Sequence, residues 1–392
     1  HSFAVIEENM TNLFNQPQAQ NNAPLSEAEK LAWLRLFRSE NIGPITFYRL
    51  VEYYGGAENA LKALPELAKR GGRKKPLVAA KEADIESEYD ALLDFGGQII
   101  TAACPEYPLA LSAIDDAPPV ISVIGDTSFM HKSCIGMVGA RNASINGKKF
   151  AAKLANDLGA QQQVVVSGLA RGIDTAAHQG ALSSGTIAVI AGGLDVIYPE
   201  ENTGLYEQIK EQGLIIAECP LGQKPFAQSF PKRNRIVAGL SKGVVVVEAT
   251  MRSGSLITAR LAGEQGRDVY AVPGHPMDPR AAGPNHLIRA GATLVRSSAD
   301  ILEGLMEFSG SAMREPFAPL ISLTPPVDIV DDPPEDAHDA VMDKLSFTPI
   351  SVDELLRSCH FTIGVLQTVL LDLELAGRIK RLPGNRIQLL GD

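Results

Sequence analysis

The stretch Phe230-Pro231-Lys232-Arg233-Asn234-Arg235-Ile236-Val237 puts three cations and an amide within four residues, in a chain of formal net charge −10. Apolar segments, Leu214–Ala217 and Val244–Val247, lie on both sides, so these cations sit inside a folded region and not in a tail. Fixed positive charge of that density suits phosphate. A solvated loop carrying ordinary surface cations is the alternative. More cations and small residues stand just after other apolar runs. Arg141 lies in Val138-Gly139-Ala140-Arg141, and Arg171 and Gly168 lie in Ser167-Gly168-Leu169-Ala170-Arg171-Gly172. Lys224 leads into the basic stretch, and Arg252 precedes Ser253-Gly254-Ser255. Glycines let a backbone approach a ligand, and a helix N-terminus favours an anion.

Carboxylates share these turns: Asp174, Asp195, Glu218 and Glu248. They fit Mg²⁺ in a nuclease, or serve as helix caps and partners for the arginines. Asp174 and His178, four residues apart, form either a catalytic pair or a capping pair with Asp174 as the N-cap. No Ser or Cys nucleophile is placed for them to activate. The turn after Val138 carries neither G-x-G-x-x-G nor G-x-x-x-x-G-K-[ST]. The next apolar run ends in Ser167-Gly168, where a nicotinamide site needs an acid. Both absences count against a dehydrogenase and an NTPase. No cofactor is expected, and no metal.

The elements that must position these residues follow from the pattern. From 133 onward, short apolar runs alternate with helical segments: Cys134–Val138, Val164–Val166, Thr186–Ile190, Leu214–Ala217, Val244–Val247, Val269–Val272 and Thr293–Val295. That pattern predicts an α/β fold, a doubly wound parallel sheet covered on both faces. Its strand-to-helix turns share one edge, where ligands of such folds bind. A helix is expected from Arg235 to Leu240, with the basic stretch in the loop before it.

Residues 25–95 read as a small helical domain with Ser26 as an N-cap and a break at Asn41-Ile42-Gly43-Pro44. It is of the sterile-alpha-motif or helix-hairpin-helix kind, although Gly43 lacks the second glycine of a DNA-binding hairpin. A second basic run, Lys69–Lys75, is either a phosphate contact or a charged loop. Residues 96–307 form the Rossmann-like domain. The stretch 308–337 holds six prolines and an acidic run, and reads as a linker. Residues 338–392 give helix, helix, helix, hairpin, a winged helix. Its would-be recognition helix carries Gln367, Asp372 and Glu374 and no Lys or Arg, which favours a protein-contact or structural role over base reading.

A composition of 45% apolar and 21% charged residues is that of a globular protein. The acidic balance argues against coating a polyanion with the whole surface, but leaves room for a local basic groove. Four scattered cysteines form no zinc spacing and read as buried thiols. No apolar run approaches the ~20 residues of a membrane span. Residues 1–24 read as a disordered lead without a signal-peptide core, and a start without Met points to a trimmed or tagged N-terminus. The expected setting is cytoplasmic.

Together these motifs resemble the DNA-processing protein A (Smf) family. The resemblance is carried by Tyr107-Pro108 with Ile114–Pro118, Val138–Arg141, Ser167–His178, Gly193–Pro199, Phe230–Leu240 and Met251–Arg260, and it is dense from about 100 to 305. It implies an extended Rossmann fold that dimerises. It also implies a non-catalytic protein that covers incoming single-stranded DNA during natural transformation and helps load RecA. Single-strand-binding protein is a further expected partner, a membrane is not. The family's DNA pocket maps onto Arg141 and the basic stretch. The expected contact set is Arg141, Gly168, Arg171, Lys224, Phe230, Lys232, Arg233, Asn234, Arg235, Ser253, Gly254 and Ser255, with backbone N–H groups at Gly168 and Gly254 on phosphates and Phe230 either stacking on a base or packing in the core. Where relatives can carry a cation after Tyr-Pro, this chain has Glu200, which takes one phosphate contact away. Nucleotide phosphoribohydrolases of the same superfamily carry G-G-x-G-T-x-x-E. Here Gly254–Thr258 aligns with its last part and puts Thr258 at the catalytic glutamate, against that activity.

Overall fold

The computed structural model describes residues 25–70, 78–308, 333–334, 336–359, 361–382 and 384–390. The lead expected over 1–24 lies outside them, as do most of the basic run 69–75 and most of the linker expected over 308–337.

Among the described residues four helices come first: α1 (Glu27–Arg38), α2 (Pro44–Tyr54), α3 (Ala57–Arg70) and α4 (Glu82–Asp94). Ser26 starts α1 with a capping box. Its hydroxyl accepts from Glu29 N at 3.3 Å, and Glu29 accepts from Ser26 N at 2.9 Å. Trp33, Leu34 and Leu36 of α1 meet Phe47 and Leu50 of α2 in the core of this helical unit.

The Rossmann-like unit follows. Its elements are β1 (Gln98–Thr101), α5 (Leu109–Ser112), β2 (Val120–Gly125), β3 (Cys134–Gly139), α6 (Ile145–Ala160), β4 (Val164–Ser167), α7 (Ile173–Ala181) and β5 (Thr186–Ile190). They continue with α8 (Thr203–Gln212), β6 (Leu214–Ala217), α9 (Ser229–Leu240), β7 (Gly243–Val247), α10 (Gly254–Glu264), β8 (Asp268–Ala271), α11 (Ala282–Arg289), β9 (Thr293–Leu294) and α12 (Ser298–Phe308). One sheet of nine strands results, in the order β1-β2-β6-β5-β4-β3-β7-β8-β9. From β6 to β9 all neighbours are parallel, and β3 to β7 are buried on both faces, as their unbroken apolar runs require. At the edge before residue 133, outside the strands expected to be parallel, β1 pairs antiparallel with β2 and β2 antiparallel with β6. The reason is local. Between β1 and β2 stands only the four-residue α5, too short to carry a parallel crossover.

The chain lays down β3, β4, β5 and β6 in one direction, then returns to place β7 on the other side of β3. Helix α9 makes that return and packs over β3, β4 and β5. It begins at Ser229 and not at Arg235, so the basic stretch is helical. Pro231 does not stop it, because in the first turn of a helix the missing N–H has no partner to lose. A crossover helix thus carries the basic stretch over the sheet.

The C-terminal unit comprises α13 (Ala337–Met342), β10 (Ile350–Ser351), α14 (Val352–Ser358), α15 (Ile363–Leu375), β11 (Ile379–Leu382) and β12 (Arg386–Leu389). Ser351 and Thr362 cap their helices, and the strands pair in the order β10-β12-β11. One face of α15 fills this unit's own core with Leu366, Val369, Leu370 and Leu373. The other face, with Leu371 and Leu375, packs into the N-terminal helical cluster. Arg49 of α2 donates to Gln367, and Asn41 donates to Leu375 O at 3.3 Å. The helix that enters a major groove in DNA-reading winged helices is here laid against the chain's own N-terminal helices.

Candidate nucleic-acid interface

The site is built over the carboxyl ends of β3, β4 and β5. After β4 the chain must turn sharply, and Leu169 does so at φ +56° and Gly172 at φ +82°. A side chain at Gly172 would strike the carbonyls of Ala140 and Arg141, so this turn lies directly on the turn after β3. Gly172, not Asp174, is therefore the N-cap of α7. Asp174 is the second residue of the helix, and its Oδ2 accepts from Gly168 N at 3.1 Å and Ala170 N at 3.3 Å. The Gly168 N–H is thereby taken, which corrects its expected role as a phosphate donor.

Arg233 lies under this turn. It is 6% exposed and donates to the carbonyls of Gly168 and, at 2.6 Å, Val189. Burial pushes the Asp174 carboxyl up, and the Arg233 charge opposes that. Burial pulls Arg233 down to about 10, held there against further loss by Asp174. It stays charged at neutral pH. A side chain on Gly168 would land on the Arg233 guanidinium, so glycine here is what lets the arginine pass beneath the turn. Arg233 is part of the floor: it touches the cavity while its hydrogen bonds go to the protein.

His178 does not pair with Asp174. The Thr186 hydroxyl donates to Val165 O at 2.7 Å, so it accepts from His178 Nδ1 at 2.8 Å, which puts a ring proton on Nδ1. Burial, with the Arg233 charge adding, pushes this imidazole down from 6.5 to about 3. A depressed histidine leaves stability intact above pH 6.5 and removes it as pH falls toward 3, by up to about 1.4 kcal/mol per unit. Melting temperature measured across that window is expected to fall less steeply in His178→Gln than in the natural chain. Parallel curves would show that His178 does not set the acid limit.

Above the floor is an open cavity of about 340 Å³. Gly168, Ala170, Ala191 and Gly192 line its bottom, all small. Tyr198 and Phe230 form an aromatic side, with ring centroids 5.9 Å apart and planes inclined by 56°. The exposed Arg141 holds its guanidinium over the Phe230 ring, 5.0 Å from the centroid. Such a contact contributes about 0.5–1 kcal/mol at an exposed site, and Arg141 also lines the cavity. Arg171, also on the rim, is paired with Glu201 at 2.6 Å, both more than half exposed.

The expected contact residues divide by the side of α9 they occupy. Phe230 and Arg233 line the cavity together with Arg141, Gly168 and Arg171. Lys224 and Lys232 are exposed outside its lining. Asn234 points the other way, toward Gly254 O at 3.5 Å. Ser253, Gly254 and Ser255 start α10 and lie outside the cavity, where the two hydroxyls bond each other at 2.6 Å. Arg235 is the clear correction. It is buried, donates to Glu218, and lies 3.5 Å from Asp116. Burial pulls its pKa down, but the two carboxylates outweigh that and raise it. One turn of helix faces three directions, and a run of cations in sequence cannot all reach one ligand.

The carboxylates are engaged. Glu248 accepts from Ser144 N at 2.8 Å and from its hydroxyl, Asp195 accepts from Gly222 N at 2.7 Å, and Glu218 holds Arg235. Among the described residues no three His, Cys, Asp or Glu gather as metal ligands would. Tyr198 was missing from the expected contacts. Its signal was its place in Asp195-Val196-Ile197-Tyr198-Pro199, an aromatic in a strand-end loop.

Fold and site together define a Rossmann-type ligand-binding protein whose cavity combines cations with an aromatic wall. The chain belongs to the DNA recombination-mediator protein A family, whose model matches residues 98–306. Residues 27–91 match a DprA-like N-terminal HHH domain and 326–385 a DprA winged helix domain. Protein Smf of Synechocystis is 31% identical over 93% of this chain and 100% of its own length. DNA processing protein DprA of Streptococcus pneumoniae is 41% identical over 65% of this chain and 90% of its own length. The X-ray structure of the Streptococcus pneumoniae protein superposes with a TM-score of 0.58, at 37% identity, covering 72% of this chain and 98% of that one. DNA processing protein A from Helicobacter pylori, described for its single-stranded DNA binding mode, superposes at 0.50 with 30% identity, over 54% of this chain and 97% of that one.

Proposed function

We propose that the cavity over β3–β5 holds a segment of single-stranded DNA and that the protein is a non-catalytic mediator. The observation that carries this is the Arg141 guanidinium seated on Phe230 across from Tyr198, a cation and a stacking surface at one opening. At about 340 Å³ the cavity is near the small end of ligand pockets, about 300–1,000 Å³, and takes a nucleotide, not a duplex. Arg141, with Lys224 and Lys232 outside, meets phosphates. Phe230 and Tyr198 meet a base. Phosphate contacts carry no sequence information, so little base preference follows. The named binding mode of the Helicobacter pylori relative supports this reading.

The mediator works with RecA, and as a homodimer that gains by engaging one strand twice. Single-strand-binding protein is the third partner, and the setting is the cytoplasm. The chain acts as three units, 25–95, 96–307 and 338–392. Thr258 at the hydrolase glutamate position and the engaged carboxylates support a binding role over hydrolysis. The test is to incubate the protein with labelled single-stranded DNA, with and without Mg²⁺, and separately with nucleoside monophosphates. Intact strands and no released base are expected. Mg²⁺-dependent cutting or base release would overturn the non-catalytic reading.

A further inference from the structure

A groove of about 360 Å³ lies beside the cavity, between α6 and α7. The two helices touch closely further along, where a side chain on Gly180 would overlap the Ala152 backbone. Toward the N-terminal end of α7 they leave a channel. Its floor is small, Ala152, Ala176 and Gly172. Lys148 and Lys149 stand on one side, Thr175 and Gln179 on the other, and no carboxylate lines it. Lys153, a turn beyond, is paired with Asp157 at 2.5 Å, whereas Lys148 and Lys149 are exposed and carry no ion pair among the described residues.

The groove and the cavity are two sides of one turn. Arg171 lines the cavity and Gly172 lines the groove. Gly172 packs directly on the Ala140 and Arg141 carbonyls, so Arg141 stands at the same turn. A strand leaving the cavity past Arg141 therefore meets two unpaired lysines over a floor too small to obstruct a backbone. We infer that the α6–α7 groove is a second phosphate seat, which takes the sugar-phosphate backbone of the same strand as it leaves the cavity and sets its direction. This rests on the single-stranded DNA reading of the cavity.

The seat adds backbone contacts without stacking, since no aromatic lines it. It should matter only for strands long enough to span both places. The test compares the natural chain, Arg141→Ala, and the double variant Lys148→Ala with Lys149→Ala, on oligothymidylates of roughly four and roughly twenty nucleotides. Both lysines are exposed on a helix, and an unchanged melting temperature confirms that the variant is folded. The lysine variant is expected to lose about tenfold in affinity for the long strand, with a log–log salt slope shallower by about 1.4, the share of two phosphates. Its loss on the short strand is expected to be far smaller, while Arg141→Ala loses on both. An unchanged long-strand slope, or equal losses at both lengths, would overturn the second seat and leave the cavity reading standing. No binding by the natural chain at either length would overturn both.

Discussion

Arg235→Ala is expected to cost about 3–5 kcal/mol of stability and to leave the salt slope of DNA binding unchanged in whatever fraction stays folded. The guanidinium is buried between Glu218 and Asp116, whose side chains are 15% and 25% exposed. Truncating it leaves two carboxylates facing each other with little water to relieve them. Tyr107 and Tyr48 are close enough to feel the same charge, and Tyr107 donates to Pro118 O at 2.7 Å, so the pair also anchors the segment before β2. The penalty is a large share of a typical domain's 5–15 kcal/mol. The urea midpoint measures it. A midpoint within error of the natural chain, with a slope shallower by about 0.7, would return Arg235 to the DNA surface.

Arg141→Ala is expected to weaken single-stranded DNA binding by roughly 10- to 150-fold, with little effect on the melting temperature. The range corresponds to one charged hydrogen bond, about 1.5–3 kcal/mol. The side chain is exposed and rests on the Phe230 ring, so the fold loses little. Phe230→Ala removes a stacking surface, about 1–3 kcal/mol per base. Because the cation rests on the ring, the double variant is expected to lose less than the sum of the singles. Full additivity, measured by equilibrium titration, would mean that the two side chains meet the strand independently.

The sheet was legible because its strands are apolar on both faces and its crossovers are helices. The antiparallel edge was not, since β1 and β2 give no period that states their direction. The basic stretch pointed to the site, but misplaced its members. Lys232, Arg233 and Arg235 look alike as letters, yet one is exposed, one forms the floor and one is a buried partner of Glu218. What separates them is the helical register of α9, which begins at Ser229 and not at Arg235. Asp174 followed the same logic. Its spacing to His178 suggested a pair, but the turn at Gly172 shifts the helix start, so the carboxylate meets backbone N–H groups instead. Tyr198 and Phe230 lie 32 residues apart in sequence, and only the return of α9 across the sheet brings them together.

The central claim is that the cavity holds single-stranded DNA, and equilibrium binding of labelled single-stranded and duplex DNA of the same sequence, titrated across salt, tests it most directly. The predicted result is preferential retention of the single strand, with log affinity falling linearly in log salt at about 0.7 per phosphate held. Equal affinity for the duplex, or no binding at low salt, would contradict it.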